Sequence, residues 1–529
     1  MAPTLTVAPP RIPRRGWGLA KPSLVDLFFP ILLLAAFGRT QSWQALLADG
    51  DTGWHIRTGE FILQTGTVPF RDLFSFSRPG EPWFAWEWLA DVVFALLHRW
   101  HGLGAVAAFS AVVLCGSAVL LLCWLLRRGV GLFIAVAVTL ACVSASSVHY
   151  LARPHIFSLP LVTLTLWILD EDRRKHTRWV WAMPPLFALW ANLHGGFVGG
   201  MAVVFLAAAV AAGERRWRAF RHYGVLGVLA GAATLLNPYG WRLHGHILHY
   251  LGSSWILDNV LEFQSPRIRS ENMLVFAALL LAGVALAGFS FAQGRKLEAA
   301  LVLAWGFAAL RSARHVPLYA LAAAPVIASA CAARWEAASR RAPARAALRL
   351  LWELSRDFGQ SCRAGPWMAV LGGAALWMAL PRAPLADFPA TRFPVAAVAH
   401  AADTLAPVAR MPRILTSDQW ADYLIFRLYP RQRVFFDGRS DFYGPRVGAD
   451  YQALLSCGPG WRQALDRYGF EAALLPLDWP LGSLLEREPA WRVEYRDLVA
   501  VLLVRRNAGL NHAGLKKVAG SADVNPMDE

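Results

Sequence analysis

The stretch Asp49-Gly-Asp-Thr-Gly-Trp-His55 follows the first apolar run of the chain and decides how the rest is interpreted. It places two carboxylates, an indole ring and an imidazole where the chain has just left a segment of membrane-spanning character. A second cluster, Trp83-Phe-Ala-Trp-Glu-Trp88, follows further along. Because carboxylates at a membrane edge are costly and usually have a function, these two stretches are the first candidates for a site.

The composition predicts a membrane protein. The chain has 529 residues, of which 56% are hydrophobic and 17% charged. A soluble protein would not expose this much apolar surface, so we expect a polytopic protein of the cell inner (plasma) membrane. The formal net charge of +16 is more typical of the Lys/Arg bias that orients membrane proteins than of nucleic-acid binding, and no nucleic-acid partner is expected.

Apolar runs separated by short loops predict about eleven transmembrane helices, with the N-terminus in the cytoplasm. A further run, residues 86–100, is short and carries ionisable side chains. We expect it to lie flat on the outer surface, because only then do the basic loops all face the cytoplasm. The expected spans are residues 24–39, 103–126, 130–149, 156–170, 179–193, 196–213, 224–237, 273–292, 298–311, 317–332 and 367–381.

The pattern of apolar and polar residues changes after the last span. A proline-rich linker leads to alternating strand-like and helix-like segments, which predict an extracytoplasmic α/β domain. Its expected elements are strands at 413–417, 433–437 and 471–476, a helix at 451–468, and a hairpin at 491–495 and 498–504. The chain is predicted to have four parts: a basic cytoplasmic N-terminus (1–22), a transmembrane domain (23–381), the α/β domain (382–506) and a disordered tail (507–529). Within the transmembrane domain, we expect a first outer loop of two surface helices (39–102) and a cytoplasmic amphipathic stretch (333–366) that is helical at 344–358.

Ionisable residues gather at the span ends assigned to the outer side, in motifs such as Leu-Ala-Arg-Pro-His155 and Arg-Ser-Ala-Arg-His315. A carboxylate can act as a general base on a hydroxyl, and Arg and His can hold a phosphate as a leaving group. This combination favours group transfer from a lipid-linked phosphate. The candidate catalytic residues are Asp51, Asp49 and Glu87, and the candidate substrate-binding residues are His55, Arg153, His155, His194, Tyr239, Glu262, Arg311, Arg314 and His315.

The same residues have structural interpretations. Asp49 and Asp51 are suited to capping the N-terminus of a surface helix. The arginines are suited to span ends, where long side chains reach the interface. Asp437-Gly-Arg439 is more typical of a turn than of catalysis.

The membrane part, roughly residues 20–380, resembles the GT-C superfamily of membrane glycosyltransferases. The shared pattern is an acidic residue soon after the first span, a surface helix that ends in a Gly…Pro turn, and a second surface helix before the second span. Here these features are Asp49-Gly-Asp51, Gly66-Thr-Val-Pro69, and Trp86–Trp100 followed by Gly102. The chain is also similar to bacterial membrane proteins of this superfamily that share the Arg-Pro-His, Asn-Leu-His-Gly-Gly and Phe-Asp-Gly-Arg motifs.

This resemblance implies transfer of a sugar from a polyprenyl-phosphate-linked donor to a glycan, lipid or protein acceptor of the envelope. Asp51 or Asp49 would be the base or acceptor-orienting group, with Glu87 as a helper. Enzymes of the aminoarabinose type carry a Lys before the second surface helix, where this chain has Glu81 and Pro82. Oligosaccharyltransferases of the superfamily bind a divalent metal through a similar acidic pattern, so a metal on Asp49 and Asp51 stays open; no other cofactor is implied.

Two other functions fit the same residues. A transporter or flippase of a lipid-linked anion would carry a polar path with a site near the bilayer midplane, whereas the charges here gather at the outer ends. A non-catalytic scaffold for envelope assembly would tolerate Asp51→Asn.

Overall fold

The computed structural model describes residues 21–343, 346–362, 364–379, 387–405 and 412–506. The basic N-terminus up to residue 20, the linker at 380–386 and the tail from 507 onward lie outside the described residues, as do residues 344 and 345 at the start of the expected amphipathic helix.

A bundle of helices makes up the first part of the chain, as its apolar runs predict. The helices are α1 (Leu24–Phe37), α2 (Thr40–Leu46), α3 (Asp51–Thr65), α4 (Trp88–Arg127), α5 (Leu132–Ser146), α6 (Ser158–Lys175), α7 (Met183–Leu193), α8 (Phe197–Gly213), α9 (Trp217–Ala233), α10 (Trp241–Gly252), α11 (Ser254–Asn259), α12 (Glu271–Ala292), α13 (Lys296–Arg311), α14 (Val316–Arg341), α15 (Ala347–Ser361) and α16 (Trp367–Ala379).

Four of the described helices are long and apolar enough to cross a membrane: Trp88–Arg127, Leu132–His149, Asn272–Ala292 and Ala313–Arg341. Shorter apolar helices are Leu24–Phe37, Phe197–Gly213 and Trp367–Met378. Together they confirm that the chain is a multi-pass membrane protein.

Residues 39–102, the predicted first outer loop, contain α2, α3 and the first part of α4. Helix α4 is broken at His101 and Gly102, and Gly102 has φ +63°, a left-handed conformation that favours glycine. The expected surface helix at 86–100 is therefore distinct from the span that follows it. It packs against α3 so closely that a Cβ on Gly59 would lie under 3.0 Å from the backbone carbonyl of Asp91.

The C-terminal part is a four-stranded mixed sheet with helices. Its elements are α17 (Val395–Leu405), β1 (Ile414–Leu415), α18 (Asp418–Leu428), α19 (Ser440–Ser456), α20 (Trp461–Arg467), β2 (Ala472–Pro476), α21 (Pro480–Arg487), β3 (Trp491–Arg496) and β4 (Ala500–Arg505). The strand order is β1-β2-β4-β3, with β1 parallel to β2 and the other pairs antiparallel. The expected hairpin is β3–β4.

Two expected elements of this domain differ from the structure. The predicted helix 451–468 is two helices, α19 and α20, separated near Gly460, whose φ is +89°. The predicted strand 433–437 is reduced to Val434, which bridges in parallel to Ile414 on one side and Ser75 on the other. Because Ser75 belongs to the first outer loop, that loop continues the edge of the C-terminal sheet.

Helix α18 rests directly on α3 and fixes the domain over the first outer loop. The backbone N–H of Gly50 donates to Oε1 of Gln419 at 2.8 Å. A Cβ on Gly53 would lie under 3.0 Å from Cβ of Phe426. Small residues at the start of α3 thus allow a close approach, which brings the C-terminal part of the chain to Asp49–His55.

Candidate active site

Arg153 connects three carboxylates from separate parts of the chain. It lies between α5 and α6, and its guanidinium pairs with Oδ2 of Asp51 at 2.6 Å, Oδ2 of Asp49 at 3.0 Å and Oε1 of Glu262 at 2.5 Å. Asp49 and Asp51 belong to the first outer loop, and Glu262 follows α11. The structure therefore brings together four of the residues that the sequence singled out.

Asp51 occupies the first turn of α3 and is 5% exposed. Burial raises the pKa of Asp51 to about 7, with Arg153 opposing the shift and the Asp49 carboxylate reinforcing it. Asp49 Oδ1 also accepts the backbone N–H of Asp51 at 2.9 Å, so Asp49 satisfies a free N–H at the start of α3 as well as contacting Arg153. A buried carboxyl with a pKa near neutrality is suited to general acid–base work.

Glu87 lies between two histidines at the start of α4. Its Oε1 is 3.5 Å from Nε2 of His194 and its Oε2 is 3.7 Å from Nε2 of His55. Nδ1 of His194 accepts the backbone N–H of Gly196 at 3.0 Å, so the proton of this imidazole is on Nε2 and faces Glu87. Burial raises the pKa of Glu87 to about 8, against the opposing charge of Arg153.

The histidines of the site are neutral at physiological pH. Burial, together with the positive charge of Arg153, lowers the pKa of His155 to about 3. Burial also holds the pKa values of His55 and His194 well below the usual range. Nε2 of His155 donates to the backbone carbonyl of His149 at 2.6 Å. The imidazoles therefore offer hydrogen bonds and not positive charge.

Arg314 supplies the second cation. Its Nε is 3.2 Å from Oε2 of Glu262, and its Nη1 donates to the hydroxyl of Tyr250 at 2.9 Å. Although burial alone would raise the pKa of Glu262, Arg153 and then Arg314 hold it well below its usual range. Glu262 is thus an anion shared between both guanidinium groups.

Two adjoining cavities are lined by these side chains. The smaller, about 60 Å³, is polar and includes Asp51, Arg153 and, from the C-terminal domain, Gly438. The larger, about 300 Å³, is mostly apolar and includes His315 and Glu262. Residues that line both are Trp86, Glu87, His155, His194, Tyr250 and Arg314. The shared walls make a small polar chamber that adjoins an apolar one.

Two of the expected site residues lie elsewhere. The hydroxyl of Tyr239 accepts the backbone N–H of Ala85 at 2.7 Å and donates to the carbonyl of Pro69 at 3.1 Å. It therefore fixes the loop that carries the Trp83–Trp88 cluster. Arg311 ends α13 and is exposed, outside the residues that line either cavity.

The C-terminal domain contributes residues that the sequence did not assign to the site. Gly438, Arg439 and Asp441 line the smaller cavity. Arg439 is held by Asp437 at 2.8 Å and by Asp72 at 2.9 Å, and lies over the Trp83 ring. The sequence predicts a turn at the Phe-Asp-Gly-Arg motif, and only the recurrence of the motif in similar membrane proteins points to a further role.

A divalent metal does not fit this arrangement. No group of three or more His, Cys, Asp or Glu side chains among the described residues is placed to hold an ion. The guanidinium of Arg153 already lies between the carboxylates of Asp49 and Asp51, the two residues on which the resemblance leaves a metal open. We therefore assign no step to a metal.

The comparisons place the fold. No protein-family model and no curated protein matches the chain. Among solved structures, the chain is similar to the archaeal oligosaccharyltransferase AglB from Archaeoglobus fulgidus in complex with an inhibitory peptide and a dolichol-phosphate. The two chains are 11% identical, with a TM-score of 0.53, and the match covers 87% of this chain and 69% of that chain. This chain is also similar to ArnT from Cupriavidus metallidurans bound to undecaprenyl phosphate, at 15% identity with a TM-score of 0.50 over 91% and 97% of the two chains. The chain therefore has a GT-C-like fold, as the resemblance predicted.

Proposed function

We propose that this protein is a membrane glycosyltransferase that moves a sugar from a polyprenyl-phosphate-linked donor to an envelope acceptor on the extracytoplasmic side. One observation carries the proposal: a chamber lined by Asp51, Glu87, Arg153 and Arg314 adjoins an apolar cavity that shares Arg314 and Glu87. Such a pair of chambers suits an amphipathic donor. The GT-C-like fold supports the same conclusion, since the similar AglB and ArnT structures hold dolichol-phosphate and undecaprenyl phosphate.

The donor phosphate is assigned to the boundary between the two cavities. Arg314 lines both cavities while it forms an ion pair with Glu262 and donates a hydrogen bond to the hydroxyl of Tyr250. Because a guanidinium has five N–H donors, Arg314 can keep these contacts and also donate to a phosphate. The protonated Glu87 and the Nε2–H of His194 add neutral hydrogen bonds there, which stabilise a leaving phosphate without a repelling charge.

Asp51 is assigned the role of base or acceptor-orienting group. Arg153 fixes one of its oxygens, and its raised pKa makes it a better proton acceptor than an exposed aspartate. The smaller cavity, at about 60 Å³, has room for only about two water molecules.

The rival functions predict different arrangements. A transporter needs a polar path through the bilayer, whereas the contacts of Arg153 and Arg314 gather at one end of the bundle. A scaffold needs no buried ionisable cluster, because unpaired polar groups lower stability without a compensating role.

The proposed function is tested by measuring the turnover of sugar donors by the purified protein. The purified protein is incubated with a panel of labelled polyprenyl-phosphate sugars, and release or transfer of the sugar is measured. We expect activity with at least one donor and its loss in Asp51→Asn, while the exposed control Asp478→Asn stays at the wild-type rate. Equal rates for Asp51→Asn and wild type would refute the assignment of Asp51, and no turnover of any donor would refute the transferase.

A further inference from the structure

Two buried carboxyl groups, one from the membrane part and one from the C-terminal part, face each other across a small space. Asp51 belongs to α3 and Asp422 to α18, and they are 5% and 0% exposed. Oδ1 of Asp51 and Oδ2 of Asp422 are both buried and have no hydrogen-bond donor among the described residues. A Cβ on Gly438 would lie under 3.0 Å from each of these two oxygens. The two unpartnered atoms therefore border the same small space.

The other oxygen of each carboxyl is satisfied. Oδ2 of Asp51 pairs with Arg153 at 2.6 Å, and Oδ1 of Asp422 accepts the backbone N–H of Gly438 at 3.1 Å. Two ionised carboxylates offer acceptors only, and like charges this close cannot both remain ionised in a buried place. A single proton on the facing oxygens removes both the repulsion and the two unsatisfied acceptors.

The surrounding charges decide where that proton resides. Asp51 has the guanidinium of Arg153 beside it, which stabilises its anion, whereas no cation contacts Asp422 among the described residues. The groups that face the pair from every packed element are Asp49, Arg153 and Glu262 on the side of Asp51, and Asp418, Asp437 and the N–H of Gly438 on the side of Asp422. This distribution favours an ionised Asp51 and a protonated Asp422.

We propose that Asp422 is a positioning residue of the site: it carries a proton on Oδ2, donates it in a hydrogen bond to Oδ1 of Asp51, and holds that carboxylate in line with Arg153. The contact crosses the boundary between the membrane part and the C-terminal domain, so the placement of Asp51 depends on the docking of α18 on α3. The consequence for catalysis rests on the proposed transferase function, whereas the shared proton does not.

Stability as a function of pH tests the shared proton without any sugar donor. The folded pair keeps a proton that an unfolded aspartate releases near pH 4, so the pair contributes stability at low pH that is lost as the pH rises through its folded pKa. We expect the melting temperature of the detergent-solubilised protein, followed by Trp fluorescence, to fall as the pH rises through neutrality. In Asp422→Asn the amide donates the same hydrogen bond without titrating, so this fall should flatten. Asp478→Asn, an exposed aspartate of the same domain, should keep the wild-type slope.

Three outcomes would overturn the proposal. The first is a wild-type slope in Asp422→Asn. The second, which needs no variant, is the absence of a protonated-carboxyl carbonyl band in the infrared spectrum of wild-type protein with labelled aspartate at neutral pH. The third is a rise in the wild-type melting temperature with added Mn²⁺ that Asp422→Asn abolishes, since a cation would then bridge the pair in place of the proton. An inactive wild-type protein would refute the transferase and leave the shared proton standing.

Discussion

Replacing Arg153 with methionine tests the electrostatic centre of the site. Methionine keeps a long, flexible side chain but removes the cation that pairs with Asp49, Asp51 and Glu262 at 2.5–3.0 Å. Removing one partner of a buried ion pair typically costs about 3–5 kcal/mol, because the remaining charge is left uncompensated. We expect a loss of this size at neutral pH.

An independent argument gives a similar magnitude. Asp49 and Asp51 lose their cation and escape unpaired burial by taking up protons, whereas Glu262 keeps Arg314. Protonating a carboxyl whose ordinary pKa is near 4 costs about 1.4 kcal/mol for each pH unit above that value, or about 4 kcal/mol at pH 7. Because the pKa values of these carboxyl groups are raised in the folded variant, the stability that the groups contribute is present below about pH 4 and is lost as the pH rises. The deficit relative to wild type should therefore grow between about pH 5 and about pH 8.

The assay is the free energy of unfolding in mixed micelles, measured by denaturant titration at several pH values. The matched control is Arg311→Met, which removes an exposed arginine outside both cavities and should change stability by less than about 0.5 kcal/mol. The reasoning is wrong if Arg153→Met loses no more than the control, or if its deficit shrinks as the pH rises.

Three further predictions follow from other contacts. Between pH 7 and 9, the affinity of the wild-type protein for a non-hydrolysable polyprenyl-phosphate sugar should fall, because Glu87 loses its proton near pH 8 and then faces the phosphate as an anion. Glu87→Gln should remove this pH dependence. An equal fall in affinity in the variant would contradict the assignment. Tyr239→Phe leaves the N–H of Ala85 and the carbonyl of Pro69 unpaired. The variant should lose about 1–3 kcal/mol of unfolding free energy without a change in which donors bind. An unchanged free energy of unfolding would show that water replaces the hydroxyl. Gly59→Ala forces α3 away from α4 and should lower the melting temperature, whereas Gly245→Ala, which meets no atom within 4 Å, should not.

The sequence predicted the parts of this molecule that depend on local composition. Apolar runs identified the helices, and the distribution of basic loops separated the segment 86–100 from the following span, where the structure has a left-handed Gly102. The gathering of Asp51, Arg153 and Arg314 at one end followed from the topology argument, since charged span ends on one side of a bundle must lie near one another.

Contacts between distant segments could not be predicted from one sequence. Asp422 lies in an amphipathic helix where a buried carboxyl looks unfavourable, and only its apposition to Asp51 explains it. Val434 was expected to lie in a strand of its own domain, but half of its pairing comes from Ser75 in the first outer loop. Tyr239 was grouped with the binding residues because of its position at a span end, whereas its hydroxyl is used to hold a loop. In each case the deciding partner is remote in the chain.

The most direct test of the central claim is the affinity of the purified protein for undecaprenyl phosphate compared with undecaprenol, in wild type, Arg314→Met and Arg311→Met. A site that binds the lipid through its phosphate should bind undecaprenyl phosphate at least tenfold more tightly than undecaprenol, a difference of about 1.4 kcal/mol. Arg314→Met should abolish this preference, whereas Arg311→Met should keep it. Equal affinity for the two lipids, or a preference that survives in Arg314→Met, would contradict the account.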